Sequence, residues 1–166
     1  MSVVVRQVML DDAEGITNVL NPIVAEGLYT VLDTIFTPEQ EQEFIAQFPE
    51  RGVFTVALTE EESTIVGFQN VEPFAQYTKA FDHVGIIGTF VSEMARGKGV
   101  SKQLFHATFD IAKQKGYEKL FAYVRSDNER ALAVYLKQGF EIVGIAKKHA
   151  KVRGNYIDEI LIEKFL

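Results

Sequence analysis

The chain has 166 residues, no cysteine and a formal net charge of −6, and these features exclude several classes of protein. This length fits one domain, residues 1–166, around a single core. The negative charge argues against nucleic acid as a partner, and the lack of cysteine removes disulfides, thiol nucleophiles and cysteine-based zinc sites. No run of about 18 apolar residues occurs, so we expect no membrane partner and a cytoplasmic protein. We also expect no metal. A secreted form whose signal has been removed is the alternative.

The first half of the chain predicts a strand, two helices and a hairpin. A β-branched run at 3–8 predicts the first strand, and the apolar spacing that follows predicts a helix to about Ala25. The sequence TPEQ at 37–40 has an N-cap threonine, a proline at the first helical position and a glutamine three residues after the cap, which indicates a second helix. Two strand-forming runs, 53–58 and 64–74, flank an acidic turn and predict the hairpin.

The second half of the chain predicts a crossover unit and a closing hairpin. Two strand-forming runs, 83–91 and 118–124, flank a helix and should lie parallel to each other. A further helix is capped by Asp127 or Asn128 and stopped by Gly139, and two strands complete the chain. The predicted order is β-α-α-β-β-β-α-β-α-β-β. This order predicts an α/β fold with a mixed sheet, a central parallel strand pair and antiparallel ends.

The loop from Arg96 to Ser101, with the sequence RGKGVS, has the composition of an anion-binding loop. Backbone N–H groups at a helix start have no intrahelical acceptor and carry the positive end of the helix dipole. Gly97 and Gly99 leave no side chain between these groups and a ligand. The Walker spacing is absent, and the dinucleotide pattern G-x-G-x-x-G fails at Gln103. On its own the loop is equally compatible with a diphosphate site and an ordinary turn.

Two motifs resemble those of the GNAT-superfamily N-acetyltransferases. The glycine loop, 96–101, resembles motif A, (Q/R)-x-x-G-x-(G/A), with Ser101 at the position of the final Gly or Ala. The segment NERALAVYLKQGF, 128–140, matches motif B, N-x-x-A-x-x-x-Y-x-x-x-G-F, at every defined position. The predicted element order agrees with this superfamily along the whole chain. The resemblance implies a single-domain GNAT-type fold and an acetyl-CoA-dependent N-acetyltransferase.

The resemblance also implies which residues bind acetyl-CoA. We expect its pyrophosphate on the backbone amides of the glycine loop, its pantetheine along the end of the preceding strand, and its thioester near the motif B helix. The expected binding residues are Phe90, Val91, Arg96, Gly97, Lys98, Gly99, Val100, Ser101, Asn128 and Tyr135. The alternative is that the glycines only form a turn and that Tyr135 is a core aromatic.

Acetyl transfer to an amine needs a neutral amine and a proton donor for the leaving thiolate. A tyrosine is protonated at neutral pH, so Tyr135 suits the role of acid, and the backbone N–H of Val91 suits that of oxyanion donor. Because there is no cysteine, we expect direct transfer in a ternary complex.

The source of the general base is less well defined by the sequence. Within the superfamily the chain is similar to the phosphinothricin and methionine sulfoximine acetyltransferases, and this similarity implies Glu26 as the acidic catalytic residue of the acceptor site. That group has a glutamate on its central strand, where this sequence has Ile86. Other candidates are acidic or imidazole groups at strand ends: Glu72, Asp82 and His83. Tyr156 and Asp158 either border the acceptor site or belong to a solvated hairpin.

The predicted function is therefore acetylation of a primary amine on a small molecule, an amino acid or an analogue of one. Two alternatives stay open: a protein N-terminal or lysine acetyltransferase, and a non-catalytic module that senses acyl-CoA. The sequence allows a homodimer but does not establish the assembly.

Overall fold

Seven strands form one mixed sheet in the computed structural model, which describes residues 1–166. The strands are β1 (Val3–Gln7), β2 (Val53–Thr59), β3 (Ile65–Pro73), β4 (Val84–Val91), β5 (Lys119–Arg125), β6 (Glu141–Val152) and β7 (Asn155–Phe165). The helices are α1 (Ala13–Glu26), α2 (Pro38–Ala46), α3 (Val100–Gln114) and α4 (Glu129–Lys137). The order across the sheet is β1-β2-β3-β4-β5-β7-β6. The predicted fold class and element order are confirmed.

The central pair, β4 and β5, is parallel, while every other neighbouring pair is antiparallel. It is paired over three positions only, from Val84 opposite Lys119 to Ile86 opposite Phe121. Beyond them β4 stays with β3 as far as Val91, and β5 stays with β7 as far as Arg125. The two strands therefore separate toward their C-terminal ends and leave a gap in the middle of the sheet.

Three hydrophobic clusters cover the two faces of the sheet. On one face, residues of α3 and α4 such as Phe105 and Tyr135 pack against Leu120 and Ile162 of the sheet. On the other face, α1 packs against β2 and β3 around Phe68. The gap between β4 and β5 connects these two sides, which we name the α4 side and the α1 side.

The first residues of α2 and α1 differ in whether the preceding side chain caps the helix. Thr37 and Gln40 form the predicted capping box, with the Gln40 N–H donating to the Thr37 hydroxyl at 3.2 Å and the Thr37 N–H donating to the Gln40 side chain at 2.9 Å. Asp12 precedes α1 but does not cap it with its side chain. Its carboxylate instead accepts hydrogen bonds from Arg6 and from the Met9 N–H.

Candidate active site

A cavity of about 230 Å³ opens where β4 and β5 separate. Its α4-side wall is formed by the glycine loop and α4, and its α1-side wall by the end of α1 and residues 29–31. The ends of β4, β5 and β7 line it between these walls. The cavity thus passes through the sheet from one face to the other.

Residues 97–102 form a continuous run of free backbone donors beside this cavity, and Gly97, Val100 and Ser101 of this run line it. The N–H groups of residues 97–102 donate to no acceptor within the protein. Gly97 and Gly99 have φ angles of 72° and 82°, in the left-handed region that favours glycine. A Cβ placed on Gly99 would have no heavy atom within 4 Å, so the space beside Gly99 is open. This arrangement, at the N-terminus of α3, is suited to a phosphate group.

Arginine side chains add positive charge beside the loop. A guanidinium nitrogen of Arg130, in α4, lies 3.8 Å from the position that a Cβ of Gly97 would occupy. Arg96 donates to the Val91 carbonyl at 3.2 Å and lies over the Tyr29 ring, 4.5 Å from its centroid. Lys98 is exposed at the loop surface. Arg130 stands at an undefined position of motif B and was missed by the sequence analysis.

The end of β4 turns backbone groups toward the gap. Hydrogen bonds from the Phe74 N–H to the Val84 carbonyl and from the Ser92 N–H to the Val66 carbonyl show that even-numbered residues of β4 pair with β3. In an antiparallel ladder the odd-numbered residues then point their N–H and carbonyl groups the other way. Val91 therefore presents its backbone to the cavity. Phe90, which also lines the cavity, stacks on Phe68 with ring centroids 4.9 Å apart.

Tyr135 lines the α4 side of the cavity at the end of a hydrogen-bond chain. Its hydroxyl lies 2.9 Å from that of Thr89, which accepts a hydrogen bond of 2.9 Å from the Gln69 amide nitrogen. Because the Gln69 amide donates to the Thr89 oxygen, the single proton of the Thr89 hydroxyl is not used in that hydrogen bond. Thr89 can therefore donate this proton to the Tyr135 oxygen. Burial raises the pKa of Tyr135 to about 12, against a smaller lowering by the Thr89 hydrogen bond. Tyr135 is therefore protonated at neutral pH, and its own proton is free to point into the cavity.

Asn128 joins the two sides of the cavity. Its side-chain oxygen accepts from the Ala131 N–H at 3.1 Å, which caps α4, and its amide donates to the Tyr29 carbonyl at 3.3 Å. Arg125 reinforces this connection from β5, since it donates to the carbonyls of Gly27 and Thr30, each at 2.9 Å. Both residues therefore fix the segment after α1 over the cavity.

The acidic residues singled out from the sequence lie outside this cavity. Glu26 is exposed and lines a separate pocket with Pro22 and Met94. Glu72 and His83 are exposed near the start of β4, at the opposite end from the gap. Asp82 is in the same region and forms a 3.8 Å ion pair with Arg51.

One carboxylate does line the cavity, and it was not singled out from the sequence. Glu159 of β7 is only 7% exposed and lies opposite Arg125 of β5. Its neighbour Asp158 points elsewhere, because its carboxylate accepts from the Lys147 side chain and the Lys148 N–H. Successive strand residues face opposite sides of a sheet, so the alternation along β7 separates the two acidic residues.

The cavity runs through the sheet, with backbone N–H groups suited to a phosphate at one end and a proton donor on its wall. This arrangement suits an enzyme that takes an acyl group from a long phosphate-bearing carrier. The profile of the Acetyltransferase (GNAT) family matches residues 25–140, which is more than half of the chain. The chain belongs to this family, and its predicted enzyme class, an acyltransferase, is confirmed.

Similar proteins extend over nearly the whole chain. The chain is 25% identical over 162 residues to phosphinothricin N-acetyltransferase of Streptomyces coelicolor, covering 96% of this chain and 94% of that protein. It is 22% identical to L-methionine sulfoximine/L-methionine sulfone acetyltransferase of Pseudomonas paraeruginosa, covering 95% and 91%. The fold matches the crystal structure of a phosphinothricin acetyltransferase from Sinorhizobium meliloti in complex with AcCoA, with a TM-score of 0.90, 21% identity and coverage of 100% and 89%.

The helices and the potential metal-ligating side chains bear on membranes and metals. No helix is long and apolar enough to cross a membrane. No group of three or more His, Asp or Glu side chains is placed to hold a metal ion.

Proposed function

We propose that the chain is an acetyl-CoA-dependent N-acetyltransferase that acts on the primary amine of a small molecule, an amino acid or an analogue of one. The observation that carries this proposal is the through-sheet cavity, which joins the free amides of residues 97–102 to a chamber on the α1 side. Two relatives of nearly full length, named for phosphinothricin and for methionine sulfoximine and sulfone, support the substrate class.

The residues present fit acetyl-CoA. The open space before Gly99 and the nearby Arg130 guanidinium suit its pyrophosphate, and the backbone of Val91 suits the amide-bearing pantetheine arm. Ser101 and Val100 contribute amides from the first turn of α3, while Asn128 acts by fixing the cavity wall. Acetyl-CoA would supply the activated acetyl group and a thiolate leaving group.

Tyr135 serves as a hydrogen-bond donor to the sulfur that develops negative charge. With a pKa of about 12, full proton transfer from Tyr135 to a thiolate of ordinary pKa, about 8.5, is unfavourable by about 5 kcal/mol. Donation without complete transfer avoids this penalty and still stabilises the charge. The Val91 N–H donates a hydrogen bond to the acetyl carbonyl oxygen, which also develops negative charge. Both groups are preorganised because they are fixed in the fold.

The α1 side favours a small acceptor over a protein. Arg125 and Asn128 hold the carbonyls of Gly27, Tyr29 and Thr30, so the segment after α1 covers the cavity. A lysine-type amine costs about 4.6 kcal/mol to deprotonate at pH 7, so an acceptor of this kind needs a base on the enzyme. We place the reaction in the cytoplasm; the homodimer stays a prediction.

A thiol-release assay with an amine panel tests the proposal. The panel contains phosphinothricin, L-methionine sulfoximine, L-methionine sulfone, free amino acids and short peptides with free N-termini. We expect release that depends on both acetyl-CoA and one of the small amines. Faster release with peptides would favour a protein acetyltransferase. Binding of acetyl-CoA with no amine-dependent release would favour a sensor module, and no binding would refute the role of the glycine loop.

A further inference from the structure

Glu159 lies in the cavity wall, and its carboxylate has no partner within the protein. Its side chain forms no ion pair and accepts no hydrogen bond from the protein, although the residue is only 7% exposed. The nearby Arg125 guanidinium is already engaged by Asp127, at 2.7 and 2.9 Å, and by two backbone carbonyls. Burying an unpaired carboxylate is unfavourable. A carboxylate that lines a cavity and has no partner in the protein is therefore available to pair with a cationic ligand.

A bulge in the closing hairpin brings a histidine to the same place. Between the pairs Ala146–Glu159 and Ala150–Ile157, three residues of β6 lie opposite the single residue Asp158. Asp158 accepts a 2.7 Å hydrogen bond from the N–H of Lys148, which has a φ of 50°. The bulge places His149 over Tyr123, with ring centroids 5.9 Å apart and planes at 19°. Bulges commonly redirect side chains in this manner.

The charges around Glu159 come from two neighbouring strands. Burial raises the pKa of Glu159, and the positive charges of His149 and Arg125 partly oppose this effect. Tyr123, on the same face of β5, is the other titratable group beside it. His149 is exposed and lies outside the lining of the cavity. A carboxylate in such a setting can take a proton from an ammonium group and release it.

We propose that Glu159 is the general base of the acetyl transfer and the anionic group that attracts the ammonium form of the acceptor. This inference rests on the proposed function. Glu159 and Tyr135 line one cavity, whereas Glu26 lines another, and Ile86 offers no basic atom. The substrate class that fits a single unpaired carboxylate is a small molecule with one primary ammonium group.

In the proposed reaction, Glu159 accepts a proton from the amine and Tyr135 donates a hydrogen bond to the leaving sulfur. Glu159 takes one proton from the ammonium group, and the freed nitrogen lone pair forms a bond to the acetyl carbonyl carbon. The carbon–sulfur bond then breaks, and the sulfur leaves with the bonding electron pair while Tyr135 donates a hydrogen bond to it. The second amine proton neutralises the sulfur, and the first passes from Glu159 to solvent. The products are an amide, a thiol and one released proton.

The test compares Glu159→Gln with Glu163→Gln, a control on the same strand whose carboxylate pairs with Lys119. Thiol release is measured from pH 6 to 9.5 with L-methionine sulfone and phosphinothricin, and acetyl-CoA binding is measured by calorimetry. We expect E159Q to lower kcat/KM for the amine about 100- to 1,000-fold at pH 7. The deficit should shrink at high pH, where the amine is neutral without a base. Acetyl-CoA affinity should stay within twofold, and E163Q should match the wild type.

A second variant, Glu159→Asp, separates base chemistry from packing. It keeps the carboxylate on a shorter side chain, so we expect it to retain more activity than E159Q. Its activity should also still fall at low pH, where the carboxylate becomes protonated. Equal losses in both variants, with weaker acetyl-CoA binding, would indicate a structural role and overturn the proposal. If the wild type is active and kcat/KM of E159Q lies within threefold of the wild-type value, the role of Glu159 is overturned but the proposed function is not. No wild-type turnover with any amine would overturn the proposed function as well.

Discussion

The two ends of the cavity are built from different kinds of atoms. On the α4 side, the free donors are backbone N–H groups of residues 97–102, which belong to one continuous loop and helix start. On the α1 side, the cavity is lined by side chains from segments far apart in the chain, including Tyr29, Arg125 and Glu159. The first end is therefore suited to a chemical group shared by many substrates, and the second to a particular acceptor.

This difference has an energetic consequence. Backbone donors are fixed by φ and ψ, so a change of side chain in the glycine loop matters only where it fills the space of the ligand or strains the turn. Side chains such as Arg125 are held by hydrogen bonds to Gly27, Thr30 and Asp127. A substitution on the α1 side therefore changes a charge or the position of the covering segment, and should affect the amine more than acetyl-CoA.

A large effect is expected for Tyr135→Phe, which removes the hydrogen-bond donor on the α4 wall but keeps the aromatic ring. We expect kcat to fall about 100-fold, because the developing thiolate loses a preorganised hydrogen bond. Acetyl-CoA affinity should change less than twofold, as measured by calorimetry beside steady-state kinetics.

Tyr117→Phe is the matched control for Tyr135→Phe. Tyr117 is also buried, at 2% exposure, and its hydroxyl donates to the Arg51 carbonyl at 3.0 Å, away from the cavity. This variant should lose about 1 kcal/mol of stability and keep its kcat. Unchanged turnover in Tyr135→Phe would remove Tyr135 from the donor role and leave it a core aromatic.

The next effect concerns Gly99→Ala, which adds a methyl group in front of the free amides. We expect acetyl-CoA affinity to fall about 10- to 100-fold, since one or two hydrogen bonds to a charged group would be lost. Gly154→Ala is the control, because Gly154 has the same φ of 82° and equally open space but lies in the β6–β7 turn.

Both glycine variants should lose about 1 kcal/mol of stability from left-handed strain. Only Gly99→Ala should lose ligand affinity in calorimetry. Equal acetyl-CoA affinities in the two variants would contradict the phosphate site and return the loop to an ordinary turn.

The difference between the two ends of the cavity also explains how much of the structure could be predicted from the sequence. The glycine loop, the TPEQ capping box and the motif B helix each depend on neighbours a few residues away, and their positions were predicted correctly. The parallel pairing of β4 and β5 followed from the helix between them. Glu159 could not be found in this way, since which of two adjacent acidic residues faces the cavity depends on how β7 pairs with β5, where Glu159 lies opposite Arg125. Alternation along β7 offers the two residues as equal candidates, and the pairing with β5 has no local signal.

A small effect is expected for Glu26→Gln, which tests the acidic residue implied by the resemblance against the one on the cavity wall. Glu26 is exposed and lines a different pocket, although Ile23 and Arg96 line both. We expect kcat/KM for the amine to change less than threefold. A loss as large as that of E159Q would transfer the role of base to Glu26 and show that the two pockets join when substrates bind.

The smallest effect on activity is expected for Glu41→Gln, which measures what a buried carboxylate costs where no ligand compensates it. Glu41, in α2, is 5% exposed, forms no ion pair and lies outside the cavity. Burial raises the pKa of Glu41 from 4.5 to about 7. Between these values the folded state binds more protons than the unfolded state, so stability falls as pH rises through this window.

Replacing Glu41 by glutamine removes the titrating group. We therefore expect E41Q to be more stable than the wild type at pH 8, by about 2 kcal/mol once partial solvation of the carboxylate is allowed for, and equally stable at pH 4.5. Thermal unfolding at both pH values measures the difference, with kcat unchanged. The same measurement on E159Q would complete the comparison: a gain in stability at pH 8 together with a large loss of turnover would show that Glu159 is retained for chemistry at the expense of the fold. A gain for neither variant would mean that both carboxylates are solvated in the folded protein, and would weaken the argument from burial for Glu159.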